Sequence, residues 1–149
     1  MFVKLEPLAL HIRSTSKQLY IPASNTSIDE MIVRFSGRSG HTYRIKNKPT
    51  PEGYKIFSLC ESGYTYTFMF MSRIKSSNVE PIPNVNRIGA EVYHLVHQLP
   101  SRKAFNIFMD NYFSSINLFN FLRSEGYGAC GTVRTNTAKF PITLKKEKE

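Results

Sequence analysis

Apolar runs of two kinds alternate along this chain, short β-branched ones and longer ones with helical spacing. From Ile28 the residues Ile-Asp-Glu-Met-Ile-Val-Arg-Phe are largely apolar with three β-branched positions, closed by Ser36-Gly37, which predicts a strand. Tyr54 to Cys60 and Tyr64 to Met71 are two aromatic-rich runs separated by Glu61-Ser62-Gly63, the pattern of a β-hairpin with glycine in its turn. Ile88, Val92, Leu95, Val96 and Leu99 fall at helical spacing, and Pro100 closes that element. Phe105 to Met109 has four apolar residues in five, too short for a helix and suited to a buried central strand. Ser115 offers an N-cap for a helix through Leu118, Phe119 and Leu122 that Gly126 stops, and Gly128 to Thr135 reads as a last strand.

The segments between are polar. Residues 1–26 read as a lead-in with a short helix around Leu5, Leu8, Leu10 and Ile12, and Ser14 to Lys17 as polar punctuation. His41 to Lys48, followed by Pro49, Pro51 and Gly53, reads as a basic loop, and Ser72 to Arg87 as a connection. The resulting order of strand, hairpin, helix, strand, helix, strand is that of an α/β fold, a mixed sheet with helices packed on it. A helical crossover before Phe105 makes the strand ending at Asp110 parallel to its neighbour.

Composition narrows the function. A chain of 149 residues with 41% hydrophobic and 13% aromatic content can build a core, which argues against disorder of the whole. Twenty Lys and Arg against 11 acidic residues give a net charge of +9, which favours a polyanionic partner such as DNA or RNA. Cys60 and Cys130 each lie in an apolar stretch and read as small core residues, and two cysteines exclude a zinc ribbon. No apolar run approaches the roughly 20 residues that cross a bilayer, and the N-terminus lacks a signal-peptide pattern, so an intracellular protein without a membrane partner is expected.

Asp29 and Asp110 are the only aspartates, and both sit at the edge of an apolar strand. A carboxylate beside a buried strand calls for a partner, because desolvating an unpaired charge is costly. On adjacent parallel strands the two would approach each other, and a hard divalent cation, Mg²⁺ or Mn²⁺, suits such an oxygen pair. Strand-end aspartates also serve as plain turn residues, so placement alone leaves both readings open.

The surrounding wording resembles the piggyBac transposase family. The matching segments are SIDEMIVRFSGRS around Asp29, NKPTPEGYKIFSLCESG from Asn47 to Gly63, MDNYFSS around Asp110 and GTVRTN from Gly131 to Asn136. The resemblance implies an RNase H-like fold over residues 27–136, truncated before the last catalytic helix, with 137–149 as a charged tail. It also implies that Asp29 and Asp110 match two members of an Asp-Asp-Asp triad that holds two Mg²⁺ or Mn²⁺ ions in a complete relative. The third would lie on a helix beyond Asn136, where this sequence has no aspartate; Glu147 and Glu149 stand in a lysine-rich tail without a rigid platform. Implied further are cut-and-paste transposition by phosphoryl transfer, transposon-end DNA, TTAA targets and a nuclear location, with a homodimer left open. Missing one ligand, this chain is expected to be inactive alone, and the alternative is a domesticated, catalytically dead DNA-binding or interaction protein. A decayed reading frame is the third reading.

Arg34, Arg38, Arg44, Lys46 and Lys48, interleaved with His41 and Tyr43, form a basic cluster after the first strand that could grip a DNA backbone, as could Arg134. A solvated loop is the plain alternative. His94 and His97 stand three apart, but no third ligand is in reach and both read as surface residues. Tyr64, Tyr66, Phe68 and Phe70 alternate with period two, which favours packing on a sheet over stacking on bases.

Overall fold

Of the two longest strands, residues 25–34 alternate between buried and exposed positions, while residues 52–61 are buried on both faces. The computed structural model describes residues 2–46, 49–74, 79–101, 104–136 and 143. Helix α1 spans Glu6–Leu19, strand β1 Asn25–Arg34, β2 Tyr43–Arg44, β3 Glu52–Glu61 and β4 Tyr64–Phe70. Helix α2 spans Arg87–Val96, strand β5 Asn106–Met109, helix α3 Ile116–Ser124 and strand β6 Gly128–Gly131. These six strands form one mixed sheet.

Strand β3 organises the antiparallel half, pairing β1 along its length, β4 at one end and the short β2 at the other. Ser62 and Gly63 both have positive φ, 48° and 84°, as a two-residue turn matched to strand twist requires, so Glu61 pairs directly with Tyr64. Strand β5 pairs β1 in parallel, and β6 pairs β5 in parallel. Since β4 and β5 run the same way, α2 has to cross between them, and α3 crosses between β5 and β6. Asn86 and Ser115 cap these helices by accepting the Gly89 and Leu118 N–H groups.

Both crossover helices press apolar faces onto one side of the sheet. Val92, Leu95 and Val96 of α2 and Leu118 and Leu122 of α3 join Ile28, Phe57, Leu59, Ile107 and Met109 in a single core. The Phe57 and Phe113 rings meet edge to face at 5.0 Å. Along β1, Thr26 and Ile28 point into this core, while Asn25, Ser27 and Asp29 point out.

Several expectations change. Residues 1–26 hold α1 and the start of β1, and the helix runs straight through Ser14 to Lys17. It packs along β4 through other contacts than its leucines: Ala9 is buried, Arg13 covers the Phe68 ring, and the Tyr64 hydroxyl donates to the Ser16 carbonyl. Leu8 and Leu10 stay exposed. The aromatic residues of β4 pack within the fold, Tyr66 in the core and Tyr64 stacked on Tyr20.

Strand β2 forms where a loop was expected, because Tyr43 and Arg44 find Gly53 and Glu52 as partners. Only a glycine fits between these strands, since a Cβ on Gly53 would lie 2.0 Å from the Val33 carbonyl oxygen. Strand β6 stops at Gly131, well short of Thr135. Its partner β5 ends at Met109, and the Thr132 N–H to Met109 carbonyl bond is the last between them. Cys130 is exposed and Cys60 only half-buried, because each pairs with an outward residue, Phe108 and Ser27.

Replacing Leu122, fully buried in α3, with alanine should cost about 2–5 kcal/mol of stability in urea unfolding. Leu19→Ala, at a side chain 76% exposed, should change the midpoint little.

Candidate metal centre

Register between β1 and β5 builds the site. Asn25 pairs with Asn106, Thr26 with Ile107, Ser27 with Phe108 and Ile28 with Met109. Asp29 and Asp110 are the next residues on each side, Asp110 lying just past the end of β5. Residues in register on parallel strands share a face, and here it is the outward one, since Phe108 and both aspartates are exposed while Ile28 and Met109 are buried. The register thus leads the two strands toward the aspartates that the sequence singled out, on one exposed face.

Their environment differs from the expected one. Neither carboxylate is desolvated beside a buried strand; both stand on the solvent side, so burial cost gives no reason for a partner. Asp110 is where the chain leaves the sheet, and its carbonyl accepts the Phe113 and Ser114 N–H groups and the Ser114 hydroxyl. One oxygen of each carboxylate is fixed by a backbone N–H: Oδ1 of Asp29 accepts from Glu30 at 2.7 Å, and Oδ1 of Asp110 accepts from Tyr112 at 2.9 Å. Among the described residues no set of three or more His, Cys, Asp or Glu side chains is placed to hold a metal.

On the inward face, against Glu30 and the Tyr112 ring, lies a buried cation that the sequence does not announce. The Lys55 ammonium of β3 contacts Glu30 Oε2 at 2.5 Å and stands 4.2 Å from the centre of the Tyr112 ring, with Phe57 and Tyr43 also beneath it. Burial lowers the Lys55 pKa, but hydrogen bonding to Glu30 and Tyr112 outweighs that and holds it above 10.5. A lone lysine inside an apolar run was the available signal.

The basic residues are spread over exposed strand ends and loops. Arg34 ends β1 opposite Gly53 and Arg44 of β2 pairs with Glu52, so β3 runs between them and their side chains leave opposite faces of the sheet. Arg34 lies five residues past Asp29, roughly 17 Å at about 3.3 Å per residue. Arg38 and Lys46 are exposed in the loops on either side of β2, and Lys48 lies outside the described residues. A hollow of about 450 Å³ is lined by Arg34, Phe35, Gly37, Thr50 and Glu52. Arg134 is exposed in the loop after β6 rather than at the end of a strand. His94 and His97 are exposed on and just after α2, with the charges of Arg13 and Lys17 acting on His94.

A sheet ordered β4-β3-β1-β5-β6, antiparallel on one side and parallel on the other, with an aspartate on the first strand and another closing its parallel neighbour, defines an RNase H-like domain of the transposase type. The family model described as Transposase IS4 matches residues 1–149, and the chain belongs to that family, in its piggyBac-type branch. PiggyBac transposable element-derived protein 2 of Homo sapiens is 29% identical over 150 residues, covering 98% of this chain and 25% of that protein. PiggyBac transposable element-derived protein 3 of Homo sapiens is 27% identical over 138 residues, covering 89% and 23%. The cryo-EM structure of the piggyBac transposase synaptic complex with hairpin DNA superposes with a TM-score of 0.83 at 31% identity, over 99% of this chain and 30% of that one. The chain spans about a quarter of the length of these curated relatives. No helix among the described residues is long and apolar enough to cross a membrane.

Desolvation, then the charges of Arg13, His97 and Lys17, push the His94 imidazole below 6.5. Its folded-state value is depressed, so its contribution to stability is complete above pH 6.5 and is lost as pH falls through the depressed value. His94→Gln should therefore flatten the decline in stability below pH 6.5, and ring-proton NMR should show His94 titrating below that value.

Proposed function

We propose that this chain supplies part of the catalytic domain of a metal-dependent DNA transposase, with Asp29 and Asp110 as two of its metal-binding carboxylates. The observation that carries this reading is the β1–β5 register, which leads both aspartates to the same exposed face. Carboxylate oxygens in solvent suit Mg²⁺ or Mn²⁺, hard cations that keep several waters. Such an ion, when bound, would activate a water or a DNA 3′-hydroxyl and stabilise the leaving oxygen. The protein's own part is positional: the Glu30 and Tyr112 N–H groups fix one oxygen of each carboxylate, leaving each ligand a defined direction.

DNA is the proposed partner. The net charge of +9, the exposure of Arg34 and Arg44, and the likeness to a transposase in a hairpin-DNA complex all support it. Arg38, Lys46, Lys48 and Arg134 would extend the contact along the backbone. Transposon ends cut at TTAA, two ions in the assembled site and action in the nucleus belong to the same reading. With two aspartates in the chain, we take cleavage by this chain alone to be weak.

Mn²⁺ titrated into the chain should bind saturably by electron paramagnetic resonance, and Asp29→Asn or Asp110→Asn should each abolish saturation while leaving circular dichroism unchanged. Unaltered binding in both variants would remove the chemical basis of the proposal. Duplex DNA binding should weaken steeply with salt, and Arg34→Ala with Arg44→Ala should each reduce the log–log slope by about 0.9. A slope that ignores both substitutions would move the DNA surface elsewhere.

A further inference from the structure

The two backbone donors that orient the carboxylates belong to residues that meet the same buried cation. Glu30 gives its N–H to Asp29 on the outward face and its carboxylate to Lys55 on the inward face. Tyr112 gives its N–H to Asp110, and its ring lies 4.2 Å from the Lys55 ammonium. Lys55 is itself fixed, being only 6% exposed on β3, opposite Ile32 in the register with β1 and with the Phe57 ring 5.2 Å from its ammonium.

We propose that Lys55 is a positioning residue for the candidate metal centre, a buried cation that joins β1 and the loop after β5 from behind the sheet. Resting on the metal reading of Asp29 and Asp110, it assigns them their support. The need for such a support is specific. Strand β1 is held by long pairing with β3, so Asp29 is already fixed. Asp110 lies past the end of β5, where ladder bonds have stopped, and the loop from Asp110 to Ser115 must be held by something else. Phe113 anchors it in the core, and Tyr112 ties it to Lys55, which is in turn tied to the strand of Asp29.

The test uses the full chain as wild type, Lys55→Met, Lys55→Arg and Glu30→Gln, with circular dichroism and thermal melting confirming a folded state. Lys55→Met should weaken Mn²⁺ binding by about 10- to 100-fold, as loss of an outer support does in metal sites, and broaden the spectrum of the bound ion. Lys55→Arg, which keeps the charge, should recover most of that loss. The amide proton shifts of Glu30 and Tyr112 should move in Lys55→Met more than those of β6. Folded Lys55→Met with wild-type affinity and unmoved amides overturns the proposal. Should that variant not fold, Glu30→Gln takes its place, and wild-type affinity with unmoved amides there overturns it equally. If the wild type itself binds no Mn²⁺, the metal reading fails, and the two amide shifts alone decide whether Lys55 orders these donors.

Discussion

Parallel pairing of β1 with β5 is the constraint on which the rest of this domain depends. The two strands share only four residue pairs, so the pairing is short, but it sits at the centre of the sheet, and the core on its inward side holds it. Ile28 and Met109 are neighbours there, both nearly fully buried, and their burial fixes the register. A slip by one residue would send Ile28 or Ile107 outward and an aspartate into the core. That would strand apolar surface in water and a charge in a dry interior, and both costs act against the slip. The carboxylate pair is thus a by-product of hydrophobic registration: the residues that fold the sheet also place the acids.

Strength of local pattern decided what was legible in the sequence. Phe105 to Met109 reads as a central strand because four apolar residues in five cannot hide in a loop, and Ser115 reads as a cap because it precedes helical spacing, whereas the Asn86 cap shows only in the structure. The hairpin is legible from glycine between aromatic runs. Strand β2 is not, since its two residues are strand only by virtue of partners at Gly53 and Glu52, far along the chain. Strand β6 reads too long for the same reason in reverse, as its composition continues beyond the point where β5 stops offering bonds. Apolar neighbours in sequence suggest buried cysteines, yet alternation puts both on the outward side. The leucines of α1 mislead likewise, because a helix along an edge strand needs only a narrow contact stripe.

The candidate site divides along the same line. Asp29 and Asp110 are visible as acids beside apolar residues and as parts of motifs, but Asp29 lies in the middle of β1 rather than at a strand edge, and desolvation does not apply to side chains that face water. Their shared face comes from backbone register, which a sequence shows only through the pattern around it. Lys55 is invisible as a functional residue, since nothing in Gly53 to Leu59 says on which face a lysine will fall. Its role emerges only when β3 is laid beside β1 and Glu30 comes within reach.

These placements give the sheet a division of charge between its two faces. Outward lie two acids that would bind a cation; inward lies a cation of the protein's own, satisfied by Glu30 and aromatic faces. Paired with Glu30 and enclosed by aromatic rings, that ammonium is committed to the inward face. Placed on the outward face, the same lysine would neutralise an aspartate and close the site. Behind the sheet, it can hold the strand and the loop in one geometry and leave the front of the pair to solvent.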